Sequence, residues 1–140
     1  MVVREVFADT SALYALVDRN DAGHAAAKRE VGRLITAEKR IVTTDYIVAE
    51  TVNLGNARGG ALVANRVLDL LEQSSGIRLE WIGPDRFDAA KAFFRKHSDH
   101  AYSFTDCTSF VVMRELRLTE ALTTDRHFRE AGFSALLLAP

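Results

Sequence analysis

The sequence predicts an α/β fold in which a parallel sheet carries helices on both faces. Three observations predict it. Short β-branched runs alternate with longer stretches of helical period, cap and turn residues stand at the junctions, and acids fall near predicted strand ends. Parallel strands joined through helices imply right-handed crossovers, and the rim at their carboxyl ends is where such sheets place function.

Val2 to Ala8 is apolar and β-branched enough for a buried first strand, and Asp9-Thr10-Ser11 offers three N-cap side chains for a helix over Ala12 to Val17. Asp18 to Asp21 is a polar break. His24 to Ala37 is alanine-rich, with Val31, Leu34 and Ile35 at helical spacing, and Ile41-Val42-Thr43 is a second strand. Thr44 or Asp45 caps a helix from about Tyr46 to Asn56 that ends at Gly59-Gly60. Leu62, Val63, Val67, Leu70 and Leu71 then repeat the helical period from Ala61 to Gln73, a hairpin of helices closed by Ser74-Ser75-Gly76.

Ile77 to Ile82 reads as a strand, Gly83-Pro84 turns the chain, and Asp85 caps a helix carrying Phe87, Ala90, Phe93 and Phe94. His97 to Tyr102 is a loop. Ser103 or Thr105 begins a helix through Phe110, Val111, Met113 and Leu116. Ala121 to Thr124 leads to Asp125, His127 to Ala131 forms a short helical turn, and a last strand lies near Ala135 to Leu138.

A chain of 140 residues with 48% hydrophobic content suits one domain over 1–140. No stretch approaches the roughly 20 apolar residues of a membrane span, and the charged start is unlike a signal peptide, so the expectation is a cytoplasmic protein without membrane contact. Cys107 is the only cysteine, which excludes an internal disulfide and a cysteine-rich zinc site. A formal charge of −1 gives no global attraction to nucleic acid, so polyanion binding must rest on local basic groups and metal.

Four acids carry the chemistry. Asp9 closes the first strand, Glu50 rides the helix after the second on a face shared with Tyr46, Ile47 and Leu54, Asp106 opens a late helix, and Asp125 follows another strand. Each has a plain reading: Asp9 and Asp125 as caps, Asp106 as an acid favoured by the helix dipole, Glu50 as an acid reaching water or an arginine. Their common predicted rim favours a shared role, because crowded carboxylates repel unless a cation neutralises them. Hard oxygen ligands suit Mg²⁺ or Mn²⁺ rather than zinc.

Asp9-Thr10-Ser11-Ala12-Leu13, Thr43-Thr44-Asp45-Tyr46-Ile47-Val48-Ala49-Glu50, Ser103-Phe104-Thr105-Asp106-Cys107 and Thr123-Thr124-Asp125-Arg126-His127-Phe128 with Ala131-Gly132-Phe133 resemble, in order and approximate spacing, the PIN-domain ribonucleases, VapC-type toxins most nearly. The resemblance implies a three-layer α/β/α fold around a five-stranded parallel sheet. It implies Asp9, Glu50, Asp106 and Asp125 as catalytic metal ligands, Thr10 as a substrate-binding hydroxyl beside the first aspartate, and metal-dependent RNA cleavage leaving a 5′-phosphate and a 3′-hydroxyl. A bound metal can activate water for attack on a phosphodiester, so no nucleophilic side chain is required. A homodimer and a small antitoxin with a basic segment at the acidic rim are also implied.

Arg126 and His127 follow the last acid and are candidate phosphate contacts, with Arg129 one turn beyond; ordinary surface charge is the alternative. Cys107 as a thiol nucleophile, with His97, His100 or His127 as base, is weaker than Cys107 as a small buried hydrophobe. Phe93, Phe94, Phe104 and Phe110 read as core. Phosphoaspartyl enzymes and receiver modules also place an aspartate after the first strand, but Ser11 stands where the former need a second acid, and no lysine follows residue 96 for the latter. A housekeeping RNA-processing nuclease and a non-catalytic protein-binding module are the remaining alternatives.

Overall fold

The computed structural model describes residues 4–140, so the start of the expected first strand at Val2 lies outside the described residues. Strand β1 (Glu5–Ala8) is followed by α1 (Thr10–Val17), α2 (His24–Thr36), β2 (Arg40–Thr44) and α3 (Asp45–Gln73). Then come β3 (Ile77–Glu80), α4 (Gly83–Lys96), α5 (Phe104–Glu115), β4 (Glu120–Leu122), α6 (Arg126–Glu130) and β5 (Ser134–Ala135). All strand pairs are parallel, in the order β3-β2-β1-β4-β5.

That order decides where function can sit. The chain moves outward from β1 through β2 to β3, then returns across the sheet to β4 on the other side of β1. The order therefore reverses between β1 and β4, and an open parallel sheet binds its ligands at such a switch point. Right-handed crossovers assign α1 to α3 to one face and α4 to α6 to the other. Val6, Phe7 and Ala8 are all buried, as a central strand covered on both faces requires.

Phe7, Phe110 and Phe128 anchor the α6 side of the core. Phe110 meets Phe128 edge-on at 5.0 Å, and Phe7 lies 6.2 Å from Phe128. Each such ring contributes about 1.5–3 kcal/mol by leaving water. Leu13, Tyr14 and Val17 of α1 are also buried, the last two against Val63 and Val67 of α3. Arg78 on β3 bonds both Glu5 and Glu80, and Arg86 bridges Glu80 and Glu115, tying the edge strand β3 to the central β1 and to α4 and α5.

Several boundaries differ from the sequence reading. Thr44 caps α3 through Ile47 N–H, and Asp45 instead accepts from the Ile82 N–H, pinning the start of α4. The helical hairpin is a single run broken at Gly60, with φ 77° and ψ −172°. A Cβ on Gly55 would lie 3.3 Å from the Ala64 backbone, so the two limbs touch where only hydrogen fits comfortably. Asp85 lies inside the first turn of α4, because Pro84 is tolerated there and the helix starts at Gly83. Strand β5 stops at Ala135, since β4 has only three residues to pair with it. Phe94 is 42% exposed rather than core, while Phe93 and Phe110 are buried. Among the described residues no helix is long and apolar enough to cross a membrane.

Candidate active site

Asp9 ends β1 at the switch point and occupies the N-cap position of α1, yet its side chain makes no capping hydrogen bond. It is 6% exposed, and its Oδ2 instead accepts from the Thr123 hydroxyl at 2.8 Å. Burial pushes its carboxyl up to about 7; the Thr123 hydrogen bond and the Thr10 N–H oppose this, and Asp106 and Asp125 add to it. The plain reading of Asp9 as a cap therefore fails.

Asp106 and Asp125 both have structural work. Ser103 and Asp106 form a reciprocal capping box at the start of α5, and Asp125 caps α6 through the His127 N–H at 2.9 Å. These contacts also aim the carboxylates inward. His127 Nδ1 lies 3.1 Å from Asp106 Oδ2 and 3.4 Å from Asp125 Oδ1, so the three side chains converge with ligand-capable atoms all within 4.8 Å. Burial raises the Asp106 carboxyl, while Ser103 and His127 oppose the rise.

Thr123 is the joint that the sequence reading missed. Fully buried, it donates to Asp9 and accepts the Asp125 N–H at 2.9 Å, and its hydroxyl lies 3.4 Å from that of Ser11. Ser11 in turn accepts the Thr124 N–H. A hydroxyl two residues before an aspartate, just past a strand end, is the available signal, and it reads as ordinary turn chemistry without the fold.

Glu50 sits differently from the expectation. It is exposed, so the apolar face used to single it out does not bury it. Its Oε1 accepts from the Thr10 hydroxyl at 2.6 Å, which links it to the residue after Asp9 while keeping it outside the Asp106–Asp125–His127 cluster. Thr10 is thus engaged by an acid. Arg126 is exposed and makes no hydrogen bond or ion pair among the described residues, whereas Arg129 donates to the Ala139 carbonyl at 2.8 Å. Cys107 is fully buried, and burial, with Asp106 adding, pushes its thiol up to about 11, which removes it as a nucleophile near neutral pH.

Residues 6–134 match the family model described as the PIN domain. The chain belongs to the PIN-domain family. The 23S rRNA-specific endonuclease VapC20 of Mycobacterium tuberculosis, in both the CDC 1551 / Oshkosh and H37Rv strains, is 36% identical over 132 residues, covering 91% of this chain and 95% of the relative. The crystal structure of M. tuberculosis VapC20, described as a sarcin-ricin loop cleaving toxin, superposes with a TM-score of 0.81 at 32% identity over 91% of this chain and 95% of that one. The expected five-stranded parallel α/β fold and the endoribonuclease class of toxin–antitoxin systems both stand.

The donors of this PIN domain fit a divalent cation. Hydrogen bonds engage Oδ2 of Asp106 and Oδ1 of Asp125, while the other oxygen of each accepts nothing among the described contacts. Protein groups that hold one side of a carboxylate orient the other side for a metal. Carboxylates suit hard cations, and a positive charge among them would relieve the repulsion and burial that hold Asp9 protonated up to about 7.

Proposed function

We propose that this PIN domain, acting as a single domain over 1–140, is a Mg²⁺- or Mn²⁺-dependent endoribonuclease whose site comprises Asp9, Glu50, Asp106 and Asp125. The observation that carries the reading is the inward convergence of Asp106, Asp125 and His127 beside a buried aspartate that caps nothing. The cation would supply charge to the scissile phosphate and acidity to an attacking water. Asp9, Asp106 and Asp125 would hold it, and Glu50 would complete the acidic rim through Thr10. His127 positions Asp106 by hydrogen bonding and keeps its outer edge toward substrate, while Arg126 offers donors for phosphate oxygens.

The relative's description makes the sarcin–ricin loop of 23S rRNA the first substrate to test. A small antitoxin with a basic segment is the proposed inhibitor, since its cation would take the place of metal among the acids. A homodimer is proposed as well. Leu13, Tyr14 and Val17 are committed to the core, so exposed Trp81, Phe87 and Phe94 are the better-placed apolar contacts. The cytoplasm is the proposed compartment.

The test uses partner-free protein, a sarcin–ricin stem-loop and a pool of structured RNAs, with Mg²⁺, Mn²⁺ or EDTA, beside folded Asp9→Asn and Asp106→Asn variants. Cleavage that requires metal and falls by about 100-fold or more in both variants is expected, the scale of losing groups that stabilise transition-state charge. Cleavage surviving in EDTA or in either variant would sink the proposal.

A further inference from the structure

The loop from His97 to Tyr102 joins α4 to α5 beside the acidic cluster and carries aromatic rings that the proposed chemistry does not use. Tyr102 is 7% exposed, packed edge-on to Phe110 at 5.1 Å and 6.3 Å from Phe93. Its ring also meets His127 edge-on at 5.5 Å, the imidazole bonded to Asp106. His100 lies flat on Tyr102, with ring centroids 4.7 Å apart and planes within 6°. The His100 side chain keeps 37% exposure, and the one other ring near it, His97, lies 6.0 Å away at a 54° tilt and 6.4 Å from Tyr102, which puts it beside the stack and leaves the outer imidazole face uncovered by any ring among the described residues. That ring makes no hydrogen bond among the described residues, its nearest acid being Asp99 at 4.0 Å.

We propose that His100, backed by Tyr102, is a stacking site for an unpaired nucleobase of the RNA, next to the phosphodiester held at the acids; this rests on the ribonuclease reading above. Unpaired bases of RNA loops are recognised by being splayed out and stacked on aromatic or imidazole rings. A platform already held flat by a buried tyrosine loses little freedom when the base arrives. Its location follows from the ring sequence: one tyrosine separates His100 from the imidazole at the cluster, so a base on its open face lies within a nucleotide or two of that cluster. Arg126, exposed beside His127 in the chain, is available for the connecting phosphate. The site selects for base planarity rather than for a hydrogen-bonding edge, so it favours an extruded base without fixing which one.

The test uses a sarcin–ricin stem-loop carrying 2-aminopurine at successive loop positions, with wild type, His100→Ala and His100→Phe. His100→Ala is expected to raise KM by roughly 5- to 150-fold, the range that a lost base stack of about 1–3 kcal/mol corresponds to, with kcat changed less than about twofold. His100→Phe restores KM, because it keeps a flat ring and lacks the imidazole nitrogens. In an Asp106→Asn background, which removes turnover, one loop position should lose fluorescence on binding with His100 or Phe present and not with Ala.

Unchanged KM in His100→Ala, or a defect in kcat that phenylalanine does not rescue, overturns the stacking site. If wild type binds with quenching that His100→Ala abolishes but cleaves nothing, stacking stands and the nuclease reading falls. If it cleaves and His100→Ala is indifferent, the reverse holds. Neither binding nor cleavage of this RNA or of any RNA in the structured pool overturns both.

Discussion

Asp9 shows most directly what the burial of a single acid does to stability. In the unfolded chain its carboxyl ionises near 3.8, whereas burial in the fold holds the proton until about 7. Between those values the folded state binds more protons than the unfolded one, so its stability declines as pH rises from about 4 to 7 and stays lower above. Asp9→Asn removes that titration. In EDTA the variant is expected to gain on the order of 1–4 kcal/mol over wild type between pH 5 and pH 8, read from urea unfolding at the two values. Millimolar Mg²⁺ or Mn²⁺ should stabilise wild type more than the variant at pH 8; parallel pH curves for the two proteins would refute the account. Asp106 and Asp125 were legible as acids at helix starts, and both also serve there as caps, so cap and ligand readings were never exclusive. Thr123 was not legible, because its role depends on two partners, one of them 114 residues away, that only the switch between β1 and β4 brings together. Glu50 was singled out on a face shared with Tyr46, Ile47 and Leu54; that face does meet the core, with Ile47 fully buried, yet Glu50 itself is exposed, because helical period shows which residues share a face and not how far a long side chain reaches out of it.

At the level of elements, the sequence located the strands and helices of the described residues, with two expected helices merged into α3, and some differences lie at junctions where two residues could serve one task. Thr44 and Asp45 were equivalent as caps in sequence; the fold uses the hydroxyl on α3 and sends the carboxylate to the Ile82 N–H. The Gly59-Gly60 pair was legible as a helix end, and its conformations explain why both are glycine. Gly60 holds φ 77° with ψ −172°, a region almost confined to glycine, and a Cβ on Gly59 would overlap the Val63 side chain. Gly60→Ala is therefore expected to cost about 1–3 kcal/mol. Gly32, exposed in the interior of α2 with nothing within 4 Å of a Cβ, should behave oppositely, with Gly32→Ala adding about 0.5–1 kcal/mol. Chemical denaturation of the two variants decides this, and shifts of the same sign would show that the α3 break is not a conformational requirement.

For the molecule as a whole, the sheet order concentrates acidic charge at one rim of a protein whose formal net charge is only −1. An approaching RNA gains nothing from the overall field and meets repulsion at the site unless a cation sits among the carboxylates. Affinity must then come from few local contacts, stacking and metal rather than from a broad basic surface. Of the arginines on α6, Arg129 is partly engaged by the Ala139 carbonyl and Arg126 is unengaged among the described residues. One to two phosphate contacts to unpaired RNA correspond to a slope of about −0.7 to −1.4 in log affinity against log salt. Binding of the stem-loop at fixed Mg²⁺ should accordingly weaken only about 3- to 7-fold between 50 and 200 mM KCl, and Arg126→Ala should flatten the slope by about 0.7. A slope steeper than about −4 would mean that RNA is held by basic groups spread over the surface, and the acidic rim would then be a minor part of how this fold finds its substrate.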